Sequence, residues 1–238
     1  HNNMLAALGD AIAKDIDNIR LICIAGPSSS GKTTFSNRLR IELMSRGIKP
    51  LKISLDMYYK KRELCPKDED GNYDFESIYA LDLDLFNEHI LALINGEEVS
   101  LPKFDFETSN ITYGEKIKID AKTPIIIEGI HALNDKLSFA IPKHQKFKIF
   151  IAPQFQINID NDNPISYTDI RLLRRIVRDK RTRGTSAEGT LSMWRSVRRG
   201  EFKWIYPYQE GCDFVFNSAL TYELCVLKKV ALPALREI

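Results

Sequence analysis

The chain has 238 residues, a formal net charge of +2 at pH 7, 44% hydrophobic and 28% charged residues, which suits one α/β domain with insertions. No apolar run approaches the roughly 18 residues needed to cross a bilayer, and the near-neutral balance argues against a dedicated nucleic-acid binder. The start His1-Asn2-Asn3 lacks a basic-then-apolar secretory pattern, and Cys23, Cys65, Cys212 and Cys225 show neither paired nor metal-ligand spacing, so the expectation is a cytoplasmic protein with reduced thiols.

Residues 4–19 carry Leu5, Leu8, Ile12 and Ile16 at helical spacing. Residues 1–19 therefore read as an N-terminal linker helix ahead of a domain spanning 20–238. Leu21-Ile22-Cys23-Ile24-Ala25 is an apolar run of buried-strand type, followed by a glycine-bearing loop and a helical pattern at Phe35, Leu39 and Leu43 that stops at Gly47. Residues 48–55 read as the next strand and end at Asp56, and 60–72 are polar with turn signals, the composition of a flexible surface loop. Leu83, Phe86, Ile90 and Leu93 predict a helix closed by Gly96, and 99–119 predicts a β-hairpin. Two more buried-type strands follow at 124–128 and 147–152, then helices at 169–183 and 186–199, a last strand at 212–217 and a C-terminal helix at 219–230. Strands alternating with helices predict an α/β fold whose mostly parallel sheet is covered on both faces.

Gly26-Pro27-Ser28-Ser29-Ser30-Gly31-Lys32-Thr33 fits G-x-x-x-x-G-K-[ST] between a strand and a helix, the context of a phosphate-binding P-loop. Successive backbone N–H groups wrap a phosphate and the helix N-terminus favours negative charge. The candidate nucleotide-binding residues are thus Gly26, Ser28, Ser29, Ser30, Gly31, Lys32, Thr33 and Thr34, with ATP and Mg²⁺ as the expected ligands. Lys32 would reach the β- and γ-phosphates, and the Thr33 hydroxyl would meet the metal. No Asn-Lys-x-Asp guanine-reading motif occurs.

Two carboxylates end predicted strands, at the edge where α/β sheets put their ligands: Asp56 after Ile53-Ser54-Leu55 and Glu128 after Ile125-Ile126-Ile127. Asp56 suits a general base for phosphoryl transfer to an alcohol. Glu128, with Thr33 and Asp56, makes up the candidate metal set. Farther on, ten Lys and Arg against Asp179 and Glu188 concentrate positive charge between Arg171 and Arg199. Arg171, Arg174, Arg175 and Arg178 share one helical face, which predicts an arginine-rich lid facing an anion.

Taken together, these motifs resemble the uridine kinase and phosphoribulokinase family from about residue 21 to 218. The resemblance is carried by the glycine loop, Asp56-Met57-Tyr58-Tyr59-Lys60, Asn72-Tyr73-Asp74, Leu101-Pro102-Lys103-Phe104-Asp105-Phe106, Ile127-Glu128-Gly129-Ile130 and Arg174-Arg175-Ile176-Val177-Arg178-Asp179. It implies a P-loop NTPase fold of the nucleoside monophosphate kinase type, ATP as donor and a nucleoside 5′-hydroxyl as acceptor. It also implies that Asp56 and Lys32 are catalytic with lid arginines Arg178 and Arg183, that Asp74 holds ribose hydroxyls, that Tyr59, Phe104 and Phe106 line a base pocket, and that Arg175 approaches the substrate.

The sequence departs from that family pattern where the base would be read. Ser109 stands where a histidine is usual, Phe104 replaces a tyrosine, Met193 replaces a glutamine, and Arg183-Gly184-Thr185 replaces Arg-Gly-Arg. The expectation is therefore a nucleoside kinase with altered base preference, acting on a small molecule, without membrane or nucleic-acid partners and with scope for homo-oligomers. A kinase for another small alcohol, such as a sugar or pantothenate-like compound, and a non-catalytic nucleotide-binding regulatory or RNA-associated module are the alternative readings.

Overall fold

The computed structural model describes residues 1–105, 108–120, 122–158 and 160–238. Its centre is β1 (Leu21–Ala25), every residue of which is buried. β5 (Ile125–Glu128) and β6 (Lys146–Ala152) flank it, and β2 (Leu51–Ser54) and β7 (Phe214–Asn217) complete the order β2-β5-β1-β6-β7. All four pairings are parallel. Unbroken apolar runs such as Ile125-Ile126-Ile127 suit strands covered on both faces. Parallel pairing also sends the carboxyl ends of β1, β2 and β5 to one sheet edge, with Glu128 in register with both Ile24 and Ser54.

Side chains alternate along β1. Ile22 and Ile24 face a layer formed by α1 (Asn2–Lys14) and α2 (Lys32–Met44), with Leu8, Ile12, Leu39 and Leu43 fully buried. Leu21 and Cys23 face α3 (Leu83–Ile94) through Phe86, Ile90 and Leu93. α1, the helix set apart in the sequence as a linker, is tied to the end of α2 as well: Arg46 donates to Ala6 O at 3.0 Å and pairs with Asp10 at 2.7 Å. Among the described residues no helix is long and apolar enough to cross a membrane.

The predicted hairpin forms as β3 (Val99–Phe104) and β4 (Ile111–Ile117), antiparallel with Phe104 opposite Ile111. The polar stretch 60–72 is fastened: Arg199 pairs with Asp68 at 2.7 Å and Asp70 at 3.3 Å, and Arg62 and Lys67 lie over the Tyr73 ring.

Three further helices flank the loop edge: α4 (Tyr167–Thr182), α5 (Ala187–Trp204) and α6 (Glu223–Leu235). α5 runs five residues past the predicted end at 199, through Gly200. α6 begins four residues after the predicted start at 219, because the residues ahead of it are committed elsewhere: the Asn217 side chain accepts from Ala219 N–H at 3.0 Å, and Ser218 Oγ donates to Ser30 O at 2.6 Å.

Candidate active site

The glycine loop connects β1 to α2 along the carboxyl edge. Gly26 sits so close to β6 that a Cβ there would lie 2.0 Å from Ile151 O, and Gly31 enters α2 with φ +92°. The outer carbonyls of the loop are all taken. Ser28 O accepts from Arg171 Nη1 at 3.2 Å, Ser29 O from Arg174 Nη1 at 3.2 Å, and Ser30 O from Ser218. A trans peptide sets N–H opposite C=O, so the Ser29 and Gly31 N–H groups point away from these partners. Among the described residues, the N–H groups of Ser29, Gly31, Lys32 and Thr33 meet no backbone acceptor. Ser29 Oγ and Ser30 Oγ are likewise buried without a partner. A row of unpaired donors at a helix N-terminus is the chemistry of an anion cradle.

Lys32 folds back over this cradle, donating to Gly26 O at 2.9 Å and Pro27 O at 3.1 Å. Burial pulls its ammonium down to about 8, although Glu128 and Asp56 act in the opposite sense. Thr33 Oγ1 donates to Glu128 Oε1 at 3.1 Å, joining the first turn of α2 to the end of β5. Asp56 stands in a 3-10 turn, Leu55–Tyr58, directly after β2, and its N–H donates to Ser54 Oγ at 3.4 Å. Its carboxylate faces Arg183, with Oδ2 to Nη2 at 4.0 Å.

The arginines of α4 divide into two groups, which corrects the expectation of one anion-facing surface. Arg171 is fully buried against Glu201, itself fully buried, while it holds Ser28 O. Arg174 pairs with Glu223 and donates to Ser218 O at 3.1 Å. These two grip the loop from outside. Arg175, Arg178 and Arg183 instead gather at Asp179, which is 1% exposed, at 3.2, 2.7 and 3.9 Å. Arg175 Nη1 also donates to Ser28 Oγ at 2.8 Å. Three cations around one carboxylate leave net positive charge, and burial with its arginine neighbours pulls Arg178 below its usual value.

A single cavity of about 1500 Å³ joins these groups. Its walls include Ser28, Ser29, Lys32, Thr33, Thr34, Asp56, Glu128, Arg175, Arg178 and Arg183 on the loop side, and Tyr59, Phe104, Ser109 and Met193 beyond them. The Tyr59 and Phe104 rings are 5.9 Å apart. Phe106, a base-pocket candidate, lies outside the described residues. Asp74 is not on the cavity wall; its Oδ1 accepts from Glu76 N–H at 3.1 Å within a turn. The acidic residue that does line the cavity there is Glu76, which no motif singled out. Its one signal in the sequence is a glycine far downstream, Gly200, meaningful only once the two are seen in contact.

The model of the phosphoribulokinase and uridine kinase family matches residues 21–224. A uridine kinase of Staphylococcus haemolyticus is 33% identical over 199 residues, covering 83% of this chain and 87% of that protein. One from Bacillus pumilus is 31% identical over 196 residues, covering 82% and 84%. In fold, the chain resembles a fructose transport system kinase candidate from Silicibacter (TM-score 0.61, 19% identity, 89% of this chain and 98% of that one). It also resembles a uridine kinase candidate from Bacillus stearothermophilus (TM-score 0.55, 17% identity, 91% and 98%). With a nucleotide-binding P-loop on a parallel sheet and this match across its length, the chain is a kinase that belongs to the phosphoribulokinase and uridine kinase family.

Proposed function

We propose that the protein transfers the γ-phosphoryl group of Mg²⁺-ATP to the 5′-hydroxyl of a nucleoside, with a base preference shifted from that of uridine kinases. The observation that carries this reading is one cavity lined both by the phosphate loop and by the aromatic pair Tyr59 and Phe104, with Asp56 in its wall.

In this mechanism the loop N–H groups and Lys32 bind the phosphates, Lys32 exchanging its carbonyl partners for phosphate oxygens. Asp56 accepts the acceptor's hydroxyl proton as its oxygen bonds to the γ-phosphorus and the bond to the ADP oxygen breaks. Arg178 and Arg183 disperse the charge on the transferring group. Thr33 Oγ1 and Glu128 would hold Mg²⁺, with Asp56 nearby. The donor set fits that ion, which takes one or two protein oxygens and completes its shell with water and phosphate, and among the described residues no three His, Cys, Asp or Glu side chains are arranged to hold a metal by themselves. When bound, Mg²⁺ neutralises phosphate charge.

The uridine kinase names of the relatives support a nucleoside acceptor. Ser109 and Met193 on the cavity wall, in place of a histidine and a glutamine, support a changed base preference. The neutralisation of Arg171 and Arg174 by carboxylates weakens the RNA-associated alternative.

The test is an ATP-consumption panel over ribonucleosides, sugars and pantothenate-like alcohols, run with wild-type protein and Asp56→Asn. The expected result is turnover of one or more nucleosides that falls by about 10²-fold or more in Asp56→Asn while ADP still binds. Nucleosides left untouched while a sugar or vitamin is phosphorylated would replace the acceptor class. Full activity of Asp56→Asn would remove the base.

A further inference from the structure

The cavity is larger than one small ligand requires: its volume of about 1500 Å³ exceeds the roughly 300–1,000 Å³ of an ordinary ligand pocket. Its two ends rise from opposite edges of the sheet. Asp56 and Tyr59 directly follow β2, whereas Phe216 belongs to β7 at the other edge. Four strand spacings, roughly 19 Å, separate those edges, and the phosphate loop leaves β1 between them. The end at β7 has a buried apolar floor of Leu5, Phe35 and Phe216, and two exposed apolar side chains, Tyr222 and Val226 at the start of α6, stand over it.

Part of that floor comes from α1, which precedes residue 21, where the family match begins. Leu5 packs in one cluster with Phe35 and Phe216. The Phe35 and Phe216 rings are 4.5 Å apart, and the ring of His1, the residue capping α1, stands edge-on to Phe216 at 5.3 Å. Arg38, on the cavity wall one turn beyond Thr34, donates to Asn2 Oδ1. We infer that the first turn of α1 is part of the donor-nucleotide site, where it closes a compartment that takes the donor's purine ring.

A nucleoside triphosphate carries its γ-phosphorus at one end and its base at the other. With the phosphates on the loop N–H groups and the γ end turned to Asp56, the base end extends past Thr34 and Phe35 towards β7. A purine is flat and largely apolar, so seating it between the floor and the α6 side chains removes apolar surface from water on both. That accounts for Tyr222 and Val226 standing exposed beside a cavity that otherwise serves charge. An acceptor molecule is disfavoured in this compartment, because Asp56 lies at the opposite edge of the sheet. The inference rests on the reading of ATP as the phosphoryl donor and is independent of the acceptor.

The experiment is calorimetric titration of wild-type and Leu5→Ala protein with ATP and with inorganic tripolyphosphate, which carries the phosphates without the base. Leu5→Ala is expected to weaken ATP roughly 3- to 10-fold and tripolyphosphate by less than about twofold. An equal loss for the two ligands, as a purely structural role of α1 would give, or no loss for either, overturns the inference. Hydrogen exchange of the wild-type protein keeps the question open to test should Leu5→Ala fail to fold. ATP should slow exchange over residues 2–8 and tripolyphosphate should leave it unchanged, and equal protection by both, or none, overturns the role of α1. Failure of the nucleoside reading shows separately: a protein that phosphorylates no nucleoside but gives these ATP-specific effects loses its proposed acceptor and keeps α1 in the donor site.

Discussion

Thr33 Oγ1 and Glu128 Oε1, separated by 95 positions in the chain, lie 3.1 Å apart where the first turn of α2 meets the end of β5. Two oxygens fixed on a helix and a buried strand are a rigid pair. Glu128→Gln is expected to lower kcat about 10²-fold and to raise the Mg²⁺ concentration needed for half-maximal turnover, with metal-free ADP binding little changed. A Mg²⁺ titration of activity beside ADP calorimetry checks this, and an unaltered titration curve would exclude Glu128 from the metal site.

Asp179 gathers Arg175, Arg178 and Arg183, and also lies 3.5 Å from Thr190 Oγ1 of α5. Asp179→Asn leaves three guanidinium groups repelling one another. The variant is expected to lose about 10²-fold in kcat with a far smaller change in KM for the acceptor, and Asp179→Glu should recover part of the loss. A variant within threefold of wild type would mean that the arginines hold their positions without this carboxylate.

Burial of Glu76 predicts a dependence of stability on pH. Its carboxyl is lifted by burial from 4.5 to about 7, so between those values the folded chain binds more protons than the unfolded one, and stability falls as pH rises through that window. Glu76→Gln removes the penalty. It should be more stable than wild type at pH 8, on the order of 1–2 kcal/mol once the solvent that reaches the group is allowed for, and closer to wild type at pH 5. Urea denaturation at both pH values measures the difference, and an equal offset at each would contradict the linkage.

Arg171 and Glu201 form a fully buried pair, to which Arg198 and the Tyr206 hydroxyl add further donors at Glu201 Oε2. Glu201→Leu strands the Arg171 cation with the Ser28 carbonyl as its remaining acceptor, and should cost about 3–5 kcal/mol. The double variant Arg171→Met with Glu201→Leu should regain most of that stability but bind nucleotide more weakly, since Ser28 O loses its anchor. Chemical denaturation and ADP titration of the two variants separate these effects, and a double variant as unstable as the single would show that the polar pair itself is required.

What the sequence made visible was local. A run such as Ile125-Ile126-Ile127 ending in Glu128 announces both a buried strand and the side chain at its tip, and the glycine loop carries its own pattern. Partnerships across the chain left no such trace. The four arginines of α4 looked like a bare cationic face because Glu201 and Glu223, which neutralise two of them, come 30 and 49 residues later. Gly200 looked like the end of a helix; the helix continues because the missing side chain makes room for Glu76. Glu76, two places on from Asp74, carried no motif of its own, and only the turn in which Asp74 Oδ1 accepts from Glu76 N–H shows it in the cavity wall.

The grip of Arg171 and Arg174 on the loop carbonyls also limits which parts of the molecule can travel during turnover. The first turns of α4 are fastened to Ser28, Ser29 and Ser218, so they move with the phosphate loop as one rigid block. α4 stays helical to Thr182, and Ser186 caps α5 by accepting from Gly189 N–H, so the span between the two helices is short. Within that span Gly184, at φ +62°, adopts a backbone conformation that favours glycine. If a substrate draws Arg183 inward, the expected stroke is short and confined to these few residues, and shortening or stiffening that span is expected to slow the cycle without disturbing the resting grip on nucleotide.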